Sequence, residues 1–367
     1  MSKFIISGGG TGGHIFPAVA IANEIKRREP TAEILFVGAK GKMEMEKVPA
    51  AGYKIFGLSI SGIRRSFSIS NLMVPFKFIG AWRNSVKIIS DFKPDVAIGV
   101  GGYASGALLF AATTKKIPTL IQEQNAHAGI TNKFLGSRVN KICVAFDGME
   151  KFFPKQKLIV TGNPVRQEII EQEGKRSKGQ FRFGLNPEIF TVLVIGGSLG
   201  ALSINESIAN SIDKIKTAGI QLLWQTGKPF HDKAKEVVAS QQTSAIQAFD
   251  FIKEMDMAYA CADLVVSRAG AIAVSELCLV KKPSILVPFP FAAEDHQTQN
   301  ALTLVNAGAA KMIKDENARA VLVEDMLKLV TDVQQQQTMT ENAAKMGREN
   351  AASKIVDEIY ALIPTKR

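Results

Sequence analysis

The sequence predicts an α/β fold built from two doubly wound Rossmann-like domains, and three observations carry that expectation. Short apolar runs alternate with segments of helical period along most of the chain. The series starts twice, near Phe4 and again near Thr191, each time as a strand, a glycine-rich turn and a helix. A chain of 367 residues also suits two domains, each large enough for its own core.

In the first half, residues 4–6, 34–37, 96–98, 119–121 and 141–144 read as strands, with helices between them such as 17–28. This alternation predicts a parallel sheet covered on both faces. The uncharged stretch from Val96 to Thr114 is nominally long enough to span a bilayer. However, Gly99, Gly101, Gly102 and Gly106 divide it into a short strand, a loop and a buried helix. In the second half, residues 191–195, 222–224, 263–266 and 284–287 continue the series. The boundary is expected near residues 162–180, because 171–179 are polar and poor in apolar residues, as linkers are. The expected domains are 1–162 and 163–339. Residues 338–362 read as one long helical pattern, and the C-terminal helix, about 340–367, is expected to pack back on the first domain.

A hydrophobic content of 46% with 22% charged residues is ordinary for a soluble globular protein. Cys143, Cys261 and Cys278 are odd in number and widely spaced, which argues against a disulfide framework or a zinc site and fits a reducing cytoplasm. No charged-then-apolar leader precedes the first strand, so no signal peptide is expected. The formal net charge of +11 suggests an anionic partner. That charge is uneven: between Lys47 and Ser90 there is no Asp or Glu, but Arg64, Arg65, Lys77, Arg83 and Lys87 all occur there. Nucleic acid and an anionic membrane surface are both candidates. No helix-turn-helix, zinc or RNP signature supports the first, and aromatic residues make up only 7%.

Four glycine loops carry the chemistry: residues 8–13, 99–106, 196–200 and 267–271. Each follows an expected strand and opens an expected helix. Such loops let backbone N–H groups approach an anion at a helix start, where the helix field is positive. One loop serves one diphosphate, so several suggest two phosphate-bearing substrates, while any single one can be only a tight turn. Gly8, Gly10 and Gly13 satisfy the dinucleotide fingerprint, yet the second strand ends Gly38-Ala39-Lys40, without the acid that would hold a ribose. Lys40 facing an NADP phosphate keeps a dehydrogenase as one alternative. A P-loop is excluded, because no Gly-Lys-Ser/Thr follows in the required place. Glu276 lies six residues after Gly270, about 9 Å along a helix. That reach suits a carboxylate binding ribose hydroxyls beside a diphosphate, although a solvated helix glutamate has the same spacing.

The motifs Gly9-Gly-Thr-Gly-Gly-His14-Ile-Phe-Pro17, Gly101-Gly-Tyr-Ala-Ser-Gly106, Gln122-Glu-Gln-Asn125 with Thr131-Asn-Lys133, Gly162-Asn-Pro-Val-Arg166, Gly196-Gly-Ser198, Ser267-Arg-Ala-Gly270 through Ser275-Glu276, and Asp295-His-Gln297 through Asn300-Ala301 occur in this order. Together they make the whole chain resemble the MurG family of bacterial N-acetylglucosaminyltransferases. The resemblance implies the GT-B architecture. It also implies transfer of GlcNAc from UDP-GlcNAc to the muramyl C4 hydroxyl of an undecaprenyl-diphosphate carrier (lipid I to lipid II), with inversion. The C-terminal domain would hold the nucleotide sugar, and the N-terminal domain would face the acceptor and the membrane.

By motif, Glu276 would bind the ribose and the backbone of Ile252 the uracil. Ser198 and the turn at Gly270, Ala271 and Ile272 would meet the diphosphate, with Arg166 adding charge. Gln297 would read the GlcNAc hydroxyls, supported by Asn300. Thr11, Gly12, Gly13 and Asn125 would close over the donor from the other domain. Gly102, Tyr103 and Asn132 would lie on the acceptor side, and Glu123 is a candidate for positioning or catalysis. Other cell-wall synthesis proteins are conceivable partners.

Glycosyl transfer needs stabilisation of the departing UDP and a base for the attacking hydroxyl. The Asp-x-Asp tripeptide with which many sugar-nucleotide enzymes hold a metal is absent, so no metal or other cofactor is expected. An imidazole, with its ordinary pKa near about 6.5, suits the base role at His14, and a hydrogen bond to the acceptor or the loop is the plainer reading. Phe76, Ile79 and Trp82 beside Arg64, Arg65, Lys77 and Arg83 suit docking on an anionic leaflet. The enzyme is thus expected at the cytoplasmic face of the bacterial plasma membrane, peripheral and without a transmembrane helix. A UDP-GlcNAc epimerase on the same scaffold is the alternative within enzymes.

Overall fold

The computed structural model describes residues 1–60 and 74–363. The chain forms two compact units, Met1–Val165 with Asn350–Arg367, and Arg166–Glu349.

Unit 1 runs β1 (Lys3–Ser7), α1 (Gly12–Arg28), β2 (Glu33–Ala39), α2 (Glu44–Ala50), β3 (Lys54–Leu58), α3 (Val74–Phe92), β4 (Val96–Gly99), α4 (Tyr103–Thr114), β5 (Thr119–Glu123), α5 (Ile130–Gly136), β6 (Lys141–Val144) and β7 (Leu158–Val160). Unit 2 runs α6 (Gln167–Ile170), α7 (Lys175–Phe183), β8 (Thr191–Ile195), α8 (Leu202–Asn210), α9 (Ile212–Thr217), β9 (Gln221–Gln225), α10 (His231–Ser240), β10 (Ile246–Phe249), α11 (Met255–Cys261), β11 (Leu264–Ser267), α12 (Ala271–Leu279), β12 (Ser284–Leu286), α13 (His296–Asn306), β13 (Lys311–Met312), α14 (Asp315–Thr331) and α15 (Val333–Met346). Helix α16 (Ala351–Tyr360) then returns to unit 1.

Each unit holds one all-parallel sheet. The order is β3-β2-β1-β4-β5-β6-β7 in unit 1 and β10-β9-β8-β11-β12-β13 in unit 2. The expected strands are all present, and β3, β7, β10 and β13 join them at the edges. In both units the order reverses beside the first strand, between β1 and β4 and between β8 and β11. Ligands of doubly wound sheets bind at such a reversal, outside the carboxyl ends of the strands. All four glycine loops follow the strands that flank these two points, which is what places them.

The inner strands are buried on both faces, so they read as near-continuous apolar runs. One face of the unit 1 sheet packs Leu35, Val37, Ala97 and Ile121 against α3 and α4. The other packs Phe4, Ile6 and Ile98 against α1 and α16, with Ile355, Val356 and Ile359 fully buried. Arg28 ties α1 to α16 through Asp357 at 2.5 Å and the Ser353 carbonyl at 2.9 Å. The uncharged 96–114 stretch is β4, a loop and α4, and no described helix is long and apolar enough to cross a membrane. The three cysteines are unpaired and buried, and burial pushes their thiols up to about 12 for Cys143, about 11 for Cys261 and about 12 for Cys278.

Two expectations need correction. Residues 171–179 are not an open linker; most belong to α7, which is tied to α11 by ion pairs. Lys175 pairs with Asp256 at 2.6 Å and Arg176 with Asp263 at 2.8 Å, on and beside α11. The long C-terminal helix is broken, because Gly347 leaves the helical conformation and Asn350 takes a left-handed φ of 58°. Helix α15 stays with unit 2, and only α16 packs on α1.

Candidate functional site

At the unit 1 reversal point, β1 ends in the first glycine loop and α1 starts at Gly12, earlier than the proline suggested, with Pro17 in its second turn. Thr11 precedes the helix, Gly12 and Gly13 form its first residues, and His14 follows. His14 Nδ1 lies 2.9 Å from the Gly9 carbonyl oxygen, and Thr11 Oγ1 lies 3.5 Å away on the same side. A carbonyl oxygen only accepts, so the neutral ring carries its proton on Nδ1 and keeps the Nε2 lone pair. The ring lies against Gly101, where an added Cβ would come within 2.7 Å of His14 Cδ2. Gly9 N–H donates to the Gly101 carbonyl at 3.3 Å, so the first and second glycine loops form one surface. Gly102 caps α4, and Tyr103, its first residue, is half exposed.

The fingerprint glycines of unit 1 do not present a free nest for a dinucleotide. Gly10 N–H donates to buried Glu44 Oε2 at 2.9 Å. The end of β2, Gly38-Ala39, carries no acid. The acid that matters opens α2, five residues after Ala39.

Further along the same sheet edge, Glu123 is buried at the end of β5. Its Oε1 accepts from Asn125 N at 3.1 Å and Nδ2 at 3.2 Å, and its Oε2 accepts from Gly129 N at 3.1 Å and Asn132 Nδ2 at 2.9 Å. A carboxylate saturated by four donors positions its neighbours, here Asn125 and Asn132, rather than abstracting a proton. Asn163 Nδ2 donates to the Gln124 carbonyl at 3.0 Å, and Gln122 Nε2 donates to Asn163 Oδ1 at 3.0 Å. The amide-rich motifs at 122–125 and 162–166 are therefore partly one buried lock.

At the unit 2 reversal point the exposed Ser198 stands in the loop after β8, and Gly270 caps α12 after β11. Ala271 and Ile272 make the first turn of α12. Glu276 is buried one and a half turns on and accepts the Tyr259 hydroxyl at Oε2, 3.1 Å. Burial raises the Glu276 carboxyl above its ordinary range, opposed by the Arg166 charge and the Tyr259 hydrogen bond. Arg166 is exposed just before α6. Ile252 N–H donates to Gln225 Oε1 at 2.9 Å, which leaves its carbonyl as the remaining polar group. Gln225 Nε2 in turn donates to Gly197 O at 3.2 Å, tying that segment to the third glycine loop. Gln297 Oε1 accepts from Phe289 N at 2.9 Å, and buried Asn300 donates to Ala269 O at 3.1 Å, bracing the fourth loop. Tyr259 and Gln225 gave no sequence signal, because each lies on an element outside the motifs. Among the described residues no group of three or more His, Cys, Asp and Glu could hold a metal ion.

Of the expected membrane face, Arg64 and Arg65 lie outside the described residues. On α3, Phe76, Lys77, Ile79 and Arg83 are exposed. Trp82 departs from the expectation. Helical spacing turns it inward with Phe78 and Ala81, and its ring packs beside Phe110 at a centroid distance of 6.4 Å.

Two parallel Rossmann-like units, each with paired glycine loops at its reversal point, define the GT-B class of glycosyltransferase folds. The glycosyltransferase family 28 N-terminal domain matches residues 4–144, and its C-terminal domain matches residues 191–355. The UDP-N-acetylglucosamine--N-acetylmuramyl-(pentapeptide) pyrophosphoryl-undecaprenol N-acetylglucosamine transferase of Parabacteroides distasonis is 51% identical over 99% of this chain and 99% of its own. The protein of the same name from Cytophaga hutchinsonii is 52% identical over 100% of this chain and 98% of its own. The crystal structure of Acinetobacter baumannii MurG superposes with a TM-score of 0.82 at 28% identity, covering 98% of this chain and 100% of that one. The chain belongs to the MurG family.

Proposed function

We propose that this chain moves N-acetylglucosamine from UDP-GlcNAc to the muramyl C4 hydroxyl of undecaprenyl-diphosphate-MurNAc-pentapeptide, inverting the anomeric centre and turning lipid I into lipid II. The observation that carries this reading is 51% identity across 99% of the chain to a transferase of that name. Unit 2 is the donor side. Glu276 accepts the ribose hydroxyls, the Ile252 carbonyl meets the uracil, and Gln297 with Asn300 behind it reads the sugar. Ser198 and the Gly270–Ala271–Ile272 turn meet the diphosphate, and Arg166 adds positive charge.

Unit 1 is the acceptor side. His14 Nε2, unprotonated in the neutral ring, takes the C4 proton as the hydroxyl attacks the anomeric carbon. Gly102 and Tyr103 line the acceptor, and buried Asn132, held by Glu123, supports that side. UDP leaves with its negative charge offset by N–H groups at the starts of α8 and α12 and by Arg166, so that no metal is needed. The exposed face of α3 docks on an anionic leaflet at the cytoplasmic side of the membrane, and nucleic acid is no partner.

The test is incubation with labelled UDP-GlcNAc and a lipid I analogue, with and without EDTA. Label should enter the lipid at the same rate in both arms. Turnover of the donor without any acceptor would sink the transferase reading. Loss of activity in EDTA, restored by Mg²⁺, would sink the metal-free mechanism.

A further inference from the structure

One buried carboxylate of unit 1 has no part in the roles above. Glu44, the first residue of α2, is only 1% exposed. Its Oε2 accepts Gly10 N–H at 2.9 Å, and its Oε1 accepts Ala39 N–H, at the end of β2, at 3.0 Å. The carboxylate also fills the space beside Gly9, where an added Cβ would sit 2.2 Å from Oε1. Two N–H donors and a glycine surface around an anion form the cradle that a Rossmann loop ordinarily offers to a phosphate. Here the chain supplies the anion itself. Gly9 is the residue whose carbonyl accepts from His14 Nδ1 at 2.9 Å, and that carbonyl belongs to the same peptide group as the Gly10 N–H that Glu44 holds.

We propose that Glu44 is a positioning residue for His14. It clamps the first glycine loop to the end of β2, so that the Gly9 carbonyl keeps the ring proton on Nδ1 and leaves Nε2 as the base. This rests on the catalytic reading of His14, and it adds a covalently attached group in place of a bound phosphate. A loop tied at Gly10 through Glu44 to Ala39 is held against β2, and misplacement of a reacting group by about 1 Å costs on the order of 100-fold in rate.

The experiment is ¹⁵N spectroscopy of histidine-labelled protein, with the His14 signal assigned by its loss in His14→Gln, alongside transfer kinetics. In the unmodified chain the neutral His14 ring should show a protonated Nδ1 and a bare Nε2. A ring protonated on Nε2 overturns the proposal whatever the variants do. In Glu44→Gln the side-chain amide meets one of the two N–H donors with a donor of its own. The His14 tautomer should then mix, and kcat should fall roughly 10- to 100-fold. Affinity for UDP, bound by unit 2, should hold. An unchanged tautomer with kcat within about twofold overturns the proposal. Should Glu44→Gln fail to fold, Glu44→Asp, one methylene shorter, carries the same comparison. Near-normal kcat in His14→Ala would sink the base reading alone; a shifted tautomer in Glu44→Gln would still uphold the linkage.

Discussion

The Tyr259 hydroxyl donates to Glu276 Oε2 at 3.1 Å, joining two side chains that are 1% and 9% exposed. The contact ties a tyrosine on α11 to the carboxylate proposed to bind the ribose on α12. It also contributes to how that carboxylate titrates. Burial raises the Glu276 carboxyl above its ordinary 4.5, while the Arg166 charge and the Tyr259 hydroxyl pull it back.

The sign of the pH dependence follows. The folded chain favours neutral Glu276, so that contribution to stability is present below about 4.5 and is lost as pH rises through the raised value. The proposed ribose contact needs the ionised form, so UDP affinity should run the other way and weaken as pH falls through that value. In Tyr259→Phe one of the two pulls is gone, and the fall should begin at a higher pH. Affinity at neutral pH should drop roughly tenfold, the worth of a hydrogen bond to a charged group. In Glu276→Gln affinity should be low and flat with pH. Calorimetric titration of UDP between about pH 5 and 8 checks both, and an unaltered profile in Tyr259→Phe would refute the coupling.

Two glycines should separate folding from binding. Gly200 has a φ of +75°, and a Cβ there would lie 2.0 Å from the Thr226 carbonyl oxygen. Gly200→Ala should cost about 2 kcal/mol or more in urea unfolding. Gly270 has an ordinary φ of −64° and nothing within 4 Å of an added Cβ. Gly270→Ala should keep its unfolding midpoint and lose roughly tenfold in UDP affinity, because the methyl stands where the diphosphate is proposed to lie. Equal UDP affinity in Gly270→Ala and the unmodified chain would move the diphosphate elsewhere.

The outward face of α3 should bind anionic vesicles at low salt. Lys77→Ala and Arg83→Ala should each lose about 1 kcal/mol of that binding, measured by co-sedimentation. Trp82→Ala should instead lower stability, since its partly buried ring packs against the core. Vesicle binding insensitive to Lys77 and Arg83 would rule out this face.

Ile359 on α16 is 0% exposed against the sheet of unit 1. Ile359→Ala should cost about 2–5 kcal/mol, the range for emptying a buried aliphatic site. A cost under about 0.5 kcal/mol would show that α16 is dispensable to that core.

Much of this was legible in the sequence. Parallel strands buried on both faces leave continuous apolar runs, and a glycine turn after each inner strand marks the reversal points, so β1, β4, β8 and β11 and their loops were readable. The edge strands β3, β7, β10 and β13 were not, being short or only partly buried. The motif residues of the site were readable one at a time, whereas the side chains that hold them were not. Glu44 reaches the first loop from the start of α2, and Tyr259 reaches Glu276 from α11. No spacing along the chain encodes a contact that the fold makes between elements. The break before α16 was missed because Gly347 and Asn350 interrupt an otherwise continuous helical period.

The return of α16 to unit 1 has a consequence for biosynthesis. A ribosome completes every strand of the first sheet, then all of unit 2, before Ile355, Val356 and Ile359 are made. Until the last turns emerge from the exit tunnel, the nascent first lobe carries an uncovered oily flank beside α1. Only synthesis of α16 supplies its cover, so the lobe begun first is completed after unit 2 has been made.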